Sequence, residues 1–180
     1  MKKLRFLILL ITSISVYNTS MAQKNIAEAT LVYNMVISTG NTESQKGDAL
    51  NGASTTVYIK GNSNRTDMAS ALGKEITIFN SKTDNAVILK EFSGQKLMIT
   101  LNRENWKAKN KMYSDIKFEL TNEYKTILGY NTRKAIAKMA DGKTFEVYYT
   151  PDLVPANKEY DATFSNLPGL AIQYEIESGK

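Results

Sequence analysis

Apolar and polar residues alternate along much of this chain with the period of two expected of a strand buried on one face. The clearest run lies near the C-terminus, where Leu170, Ile172, Tyr174 and Ile176 alternate with Ala171, Gln173, Glu175 and Glu177. Leu31, Tyr33, Met35 and Ile37 mark one face of a first strand. The pattern recurs at Val57 and Ile59, at Ile76 and Ile78, at Leu97, Ile99 and Leu101, and at Phe145, Val147 and Tyr149. Turn signals separate these runs: Gly61-Asn62, Asp84-Asn85, Ser93-Gly94 and Asp141-Gly142. The last of them, between residues 135–140 and 144–150, predicts a hairpin closed by a type I′ turn, which needs positive φ at both central residues. Short strands at this spacing predict an all-β fold with minor helix: an antiparallel meander forming a sandwich, a barrel or a strongly curved sheet.

Two segments interrupt the meander. Residues 38–54 are rich in Gly, Asn, Ser, Thr and charge and read as a long loop. Residues 102–111 are polar, with Trp106 and Ala108 as apolar members, and predict a short helix capped by Asn102. Beyond Glu177, Ser178-Gly179-Lys180 reads as the start of a turn with no return strand. Two readings stay open there: an edge strand, or a chain that lacks its final strands and leaves an edge free to pair.

The N-terminus changes the picture of location and charge. Lys2, Lys3 and Arg5 precede a largely apolar run over residues 6–16, and Ser20-Met21-Ala22 sets small residues before a cleavage point. Residues 1–22 thus read as a secretory signal peptide and 23–180 as a single β-rich envelope domain, periplasmic or secreted. The apolar run is shorter than the roughly 18–20 residues that span a bilayer, and no later run is long enough. Without a cysteine there is no site for an acyl anchor. The chain has 23 basic and 18 acidic residues, and removal of the signal leaves 20 against 18, so no basic excess points to nucleic acid.

Histidine and cysteine are both absent, which excludes a Ser-His-Asp triad, a thiol nucleophile, a disulfide and a Cys/His zinc site. Acid–base chemistry would fall to carboxylates. Asp152, Glu159 and Asp161 share one segment and Glu104 and Asp115 flank another, but no spacing fixes the separation that glycosidic cleavage requires. Glu43, Asp48 and Asn51 do not match a calcium loop, so neither metal nor cofactor is expected. Aromatic residues gather in the second half. Trp106, Tyr113, Tyr148, Tyr160 and Phe164 are the candidate lining of an apolar ligand site at the mouth of a curved sheet, with ordinary core packing as the alternative. Leu167-Pro168-Gly169-Leu170 reads as a rigid corner, in which proline fixes φ at the first central position of a type II turn and glycine supplies positive φ at the second.

Three strings in order carry a resemblance: Ile127-Leu128-Gly129-Tyr130 through Arg133-Lys134-Ala135, then Val147-Tyr148-Tyr149-Thr150-Pro151-Asp152, then Asn166-Leu167-Pro168-Gly169-Leu170. Residues 110–178 so read resemble the GLPGLI family of bacterial envelope proteins and the related LolA-like carriers. Asn166 stands where the motif has its first glycine, Ala171 where it has isoleucine, and Thr132 where members often carry cysteine. The resemblance implies a half-barrel whose concave face shelters acyl chains. The expected function is therefore a non-enzymatic periplasmic binding module for a lipid-like or apolar ligand, and the alternative is an envelope protein–protein interaction module without a cavity.

The leader makes a direct prediction. Mass spectrometry of the protein recovered from a periplasmic fraction should give a chain beginning at Gln23. An intact Met1 in membrane-bound material would contradict cleavage.

Overall fold

The structure, a computed structural model, describes residues 23–36 and 51–176; the predicted signal and all but the end of the predicted 38–54 loop lie outside the described residues. Six strands form an uninterrupted up-and-down meander in which each is hydrogen-bonded to its sequence neighbour. They are β2 (Glu28–Asn34), β3 (Ser54–Lys60), β4 (Ser63–Ser70), β5 (Gly73–Asn80), β6 (Asn85–Phe92) and β7 (Gln95–Leu101). Helix α1 (Arg103–Ser114) follows, and then β8 (Lys117–Ile127), β9 (Tyr130–Lys138) and β10 (Thr144–Thr150). The last strand, β12 (Leu170–Glu175), pairs with β10 to complete a four-stranded sheet of order β12-β10-β9-β8. A small parallel pair joins β1 (Lys24–Ile26) to β11 (Leu153–Pro155). The all-β prediction with a minor helix is thus met, and none of these sheets closes into a barrel.

Both larger sheets contribute to one core. Val57 and Ile59 of β3 pack with Ala135 and Ala137 of β9, Phe145, Val147 and Tyr149 of β10, and Leu170 and Ala171 of β12. Tyr160, Phe164 and Leu167, from the connection between β11 and β12, complete the same cluster, with Leu31 and Tyr33 of β2 packed against it. Directly opposed residues on antiparallel strands share a face. The register Ile59↔Asn64↔Phe79↔Ala86↔Leu101 therefore runs a mostly apolar row across the inner face of the six-stranded sheet.

That register corrects the expectation for β5. Ile76 and Ile78 were expected to mark its buried face, yet Phe79, of opposite parity, is the buried residue and Ile78 is exposed. Both faces of this strand carry large apolar residues, so alternation alone could not choose between them. Phe79 wins because its ring stacks under Trp106 of α1, centroids 4.6 Å apart and planes 19° from parallel. The helix itself starts where predicted: Asn102 is the N-cap, its side chain accepting from the Asn105 amide at 2.9 Å, and the helix runs three residues past the predicted end.

The turns also differ from the prediction in an informative way. Asp141-Gly142 does not form a type I′ turn. Residues 139–143 link β9 to β10, Gly142 N donates to Met139 O, and only the glycine of the pair has positive φ. The doubly positive geometry occurs at Ser93-Gly94 (φ 50° and 76°) and at Leu128-Gly129 (φ 52° and 82°), each a two-residue link between paired strands. At the Pro168-Gly169 corner, glycine is required for a different reason from the one expected. Its φ is not positive, but a Cβ there would lie 2.2 Å from the carbonyl oxygen of Thr150 and 2.8 Å from the Tyr149 ring. Close backbone approach, rather than turn geometry, selects glycine.

Two glycine substitutions separate these reasons. Gly169→Ala should destabilise the protein by about 2–3 kcal/mol through overpacking against backbone. Gly94→Ala, with φ of +76° and open space around it, should cost only the roughly 1 kcal/mol of a left-handed alanine. Urea unfolding of both variants checks the order; equal losses would contradict it.

Candidate functional site

A corner where two turns, α1 and the β11–β12 connection meet collects polar side chains around an aromatic ring. It begins with Asn80, whose Oδ1 accepts from the amides of Lys82 and Thr83 at 3.0 and 3.2 Å while its carbonyl accepts from Asp84 N at 2.8 Å. This tight turn holds Asp84 at a φ of 54°. The turn is in turn tied to its neighbour, because Ser81 N donates to Asn62 O at 2.8 Å and Asn80 Nδ2 to Ser63 Oγ at 3.1 Å.

Helix α1 lies over that turn. Arg103 and Lys107, four residues apart and so on one helical face, both reach Asp84 Oδ2, Arg103 Nε at 2.8 Å and Lys107 Nζ at 3.8 Å. The Asp84 side chain is only 15% exposed whereas that of Arg103 is 59% exposed, so the pair is shielded from solvent on the carboxylate side alone. Trp106, half-buried on the same helix, rests on Phe79. The chain's single tryptophan is thus clamped beside a fixed carboxylate and two cations.

The β11–β12 connection supplies the remaining wall. It contains two single-turn 3-10 helices, Lys158–Tyr160 and Ala162–Phe164, whose caps Asn157 and Asp161 accept from the Glu159 and Thr163 amides at 3.1 and 2.8 Å. Asn64 Nδ2 donates to Tyr160 O at 2.8 Å, anchoring the segment to β4, and Asn166 Nδ2 donates to Ser114 O and Ile116 O at 3.3 and 3.1 Å, anchoring it to the end of α1. Burial first, and then the charge of Asp84, push the Glu159 carboxyl above its ordinary range, with Lys107 opposing the shift. Buried Asn64 Oδ1 and Asn157 Nδ2 lack hydrogen-bond partners.

On its inner side the segment meets a tyrosine cluster. Tyr33 donates its hydroxyl to Ala171 O at 2.9 Å, and Tyr174 packs edge-on against both Tyr33 and Phe164, centroids 6.2 and 4.9 Å apart. Burial raises the hydroxyls of Tyr33, Tyr160 and Tyr174, and the Asp161 charge adds to each shift. Burial likewise raises the Asp161 carboxyl, opposed by its bonds from Thr163.

The five aromatic residues predicted to line one ligand site are not gathered around a common opening. Tyr160 and Phe164 lie in the hydrophobic core and Tyr113 packs against it, while Trp106 sits at the corner just described. Tyr148 is on the outer face of the four-stranded sheet, where it is hydrogen-bonded to Glu123 and lies beneath Lys125 Nζ, 4.1 Å from the ring centre. Leu167 and Leu170 are buried, as the corner reading of that string required. A shallow hollow of about 340 Å³ lies elsewhere, lined by Lys74, Ile76, Leu89, Glu91, Lys96 and Met98 among others, and it contains none of the five. Sequence reasoning missed Asp84, Arg103 and Lys107. The Arg103–Lys107 spacing was visible, but their carboxylate partner lies on another element. Among the described residues no group of His, Cys, Asp and Glu side chains could hold a metal ion.

Comparison with known proteins corrects the family expectation. Residues 40–157 match the family model described as N-glycanase peptide, N-terminal domain. The match overturns the GLPGLI and LolA resemblance and, with it, the lipid-binding reading. A search of the curated proteins found no match. A solved structure titled "Structure of PNGF-II in C2 space group" is 17% identical, with a TM-score of 0.34, covering 68% of this chain and 20% of that one. The chain therefore spans about a fifth of the length of that protein.

The raised carboxyl of half-buried Asp161 generates a pH prediction. A carboxyl whose folded value lies above its unfolded value binds its proton more tightly in the fold, so its stabilising contribution is complete below the ordinary aspartate range and is lost as pH rises through the raised folded value. Asp161→Asn keeps an oxygen to accept from Thr163 N but cannot ionise. Urea midpoints measured against pH should fall for the wild type relative to the variant as pH rises above the ordinary aspartate range. Parallel profiles would show that Asp161 is not desolvated.

Proposed function

The chain belongs to the family of N-glycanase peptide N-terminal domains, and we propose that it is a non-enzymatic accessory module that binds carbohydrate at the corner of Asp84, Arg103, Trp106, Lys107 and Glu159. The observation that carries this reading is the clamped Trp106 ring beside the Asp84–Arg103 pair. A sugar presents an apolar C–H face and a rim of hydroxyls. The C–H face suits the electron-rich face of an indole. The hydroxyls suit a carboxylate that accepts and a guanidinium that donates in a fixed fork. Because Phe79 and the helix already hold the ring, little ordering cost remains for the ligand to meet.

Binding rather than turnover is favoured by the state of the carboxylates. Asp84 is engaged by two cations, and Glu159 is the remaining carboxyl at the corner. A glycan-directed module also agrees with the exported setting that the leader predicts, where glycoproteins and cell-surface polysaccharide would be met.

Since Trp106 is the chain's single tryptophan, its emission reports on the corner alone. Titration of the protein with a free asparagine-linked oligosaccharide should shift that emission, with a matching heat in calorimetry. Trp106→Ala should weaken binding at least tenfold, about 1.4 kcal/mol, and Asp84→Asn should weaken it less, both with an unchanged far-ultraviolet circular dichroism spectrum. No emission change and no heat at millimolar sugar would sink the proposal.

A further inference from the structure

Strand β7 ends the six-stranded sheet: it pairs with β6 on one side, and among the described residues no strand pairs with its other side. Its sequence, Gln95-Lys96-Leu97-Met98-Ile99-Thr100-Leu101, has no proline and one charge, and the register with β6 runs without a bulge. Leu97 is 57% exposed on one face and Met98 69% exposed on the other. One of the two edge strands of the other sheet, β8, is built differently. In β8 the register slips between Leu120 and Tyr124, and Lys117, Glu119, Glu123 and Lys125 line the strand. Bulges and charges of that kind are what keep edges from pairing, and β7 has neither protection beyond Lys96.

We infer that β7 is an assembly edge that pairs antiparallel with β7 of a second copy, with Met98 on the two-fold axis. The register follows from the strand itself. Opposed residues of an antiparallel pair must share a face, and a two-fold relation then places a residue opposite itself. With Met98 on the axis all seven residues pair, Gln95 with Leu101, Lys96 with Thr100 and Leu97 with Ile99. One face then joins Leu97 and Ile99 of both copies, and the other joins the two Met98 side chains. Each Lys96 stands opposite a threonine while remaining beside Glu91 of its own β6, its directly opposed neighbour there. A two-fold centred two residues earlier would set the lysines against each other and leave most of the strand unpaired. The strand therefore matches itself in charge and in apolar surface in the register that also uses its whole length. This assembly is independent of the carbohydrate reading.

The chain has no cysteine, which makes the test specific. Directly opposed positions have Cα atoms roughly 4.5–5.5 Å apart, within disulfide reach. Under mild oxidation of the full chain, Met98→Cys should give a reducible covalent dimer. Thr100→Cys should not, because its two copies would lie roughly 13 Å apart along the strands. Light scattering after size-exclusion chromatography should give a dimer mass for the wild type and a monomer mass for Met98→Lys, which sets two ammonium groups on the axis at an exposed position. A monomeric wild type up to millimolar concentration, a dimer that survives Met98→Lys, or equal cross-linking at positions 98 and 100 would each overturn the inference.

Discussion

Tyr160, Phe164 and Leu167 project from a stretch of chain with little regular backbone pairing, and both large sheets and the helix meet on them. All three are at least 98% buried, and burial of side chains of this size contributes about 1.5–3 kcal/mol each. That apolar contribution can be realised only if the backbone polar groups of the segment are also satisfied. Asn157 and Asp161 meet part of this need as caps, Asn64 reaches in from β4 to bond the Tyr160 carbonyl, and Asn166 docks the segment by bonding carbonyls at the end of α1. The four amide and carboxyl side chains make it possible for an irregular loop to serve as core.

The same segment is what places the functional corner. Anchored to β4 by Asn64 and to α1 by Asn166, it brings Glu159 toward Asp84 and Lys107, and it fixes the helix that presses Trp106 onto Phe79. The electrostatics follow from this packing. Carboxyl and hydroxyl groups drawn into the interface, at Asp161, Tyr33, Tyr160 and Tyr174, are shifted upward, whereas Glu119 and Glu123 on the open face of the other sheet are shifted downward by bonds from Lys138 and Tyr148. The molecule thus has a dry side, where charge is costly, and a wet side, where ion pairs merely decorate a sheet.

Asn166 shows how a family-like string can mislead. The Leu167-Pro168-Gly169-Leu170 corner does bury both leucines, as read, although not through a glycine of positive φ. Yet its glycine answers to the Thr150 carbonyl, and the asparagine before it answers to the end of α1, both distant in sequence. A motif of four residues constrained the local chain path but not the family, and the match over residues 40–157 decided that instead.

From the sequence alone came the strand alternation, the Asn102 cap and the exclusion of thiol and histidine chemistry, because each depends on residue identity at a spacing of a few positions. Which face of β5 turns inward, which turns take positive φ at both positions, and which of five aromatics reach solvent depended on partners far away in the chain. Phe79 is buried because Trp106 covers it, and Asp84 is a functional candidate because Arg103 and Lys107 arrive from another element. Period-two patterning specifies that a strand has two faces; only the packing of one element on another specifies which face is covered and what chemistry gathers at its margin.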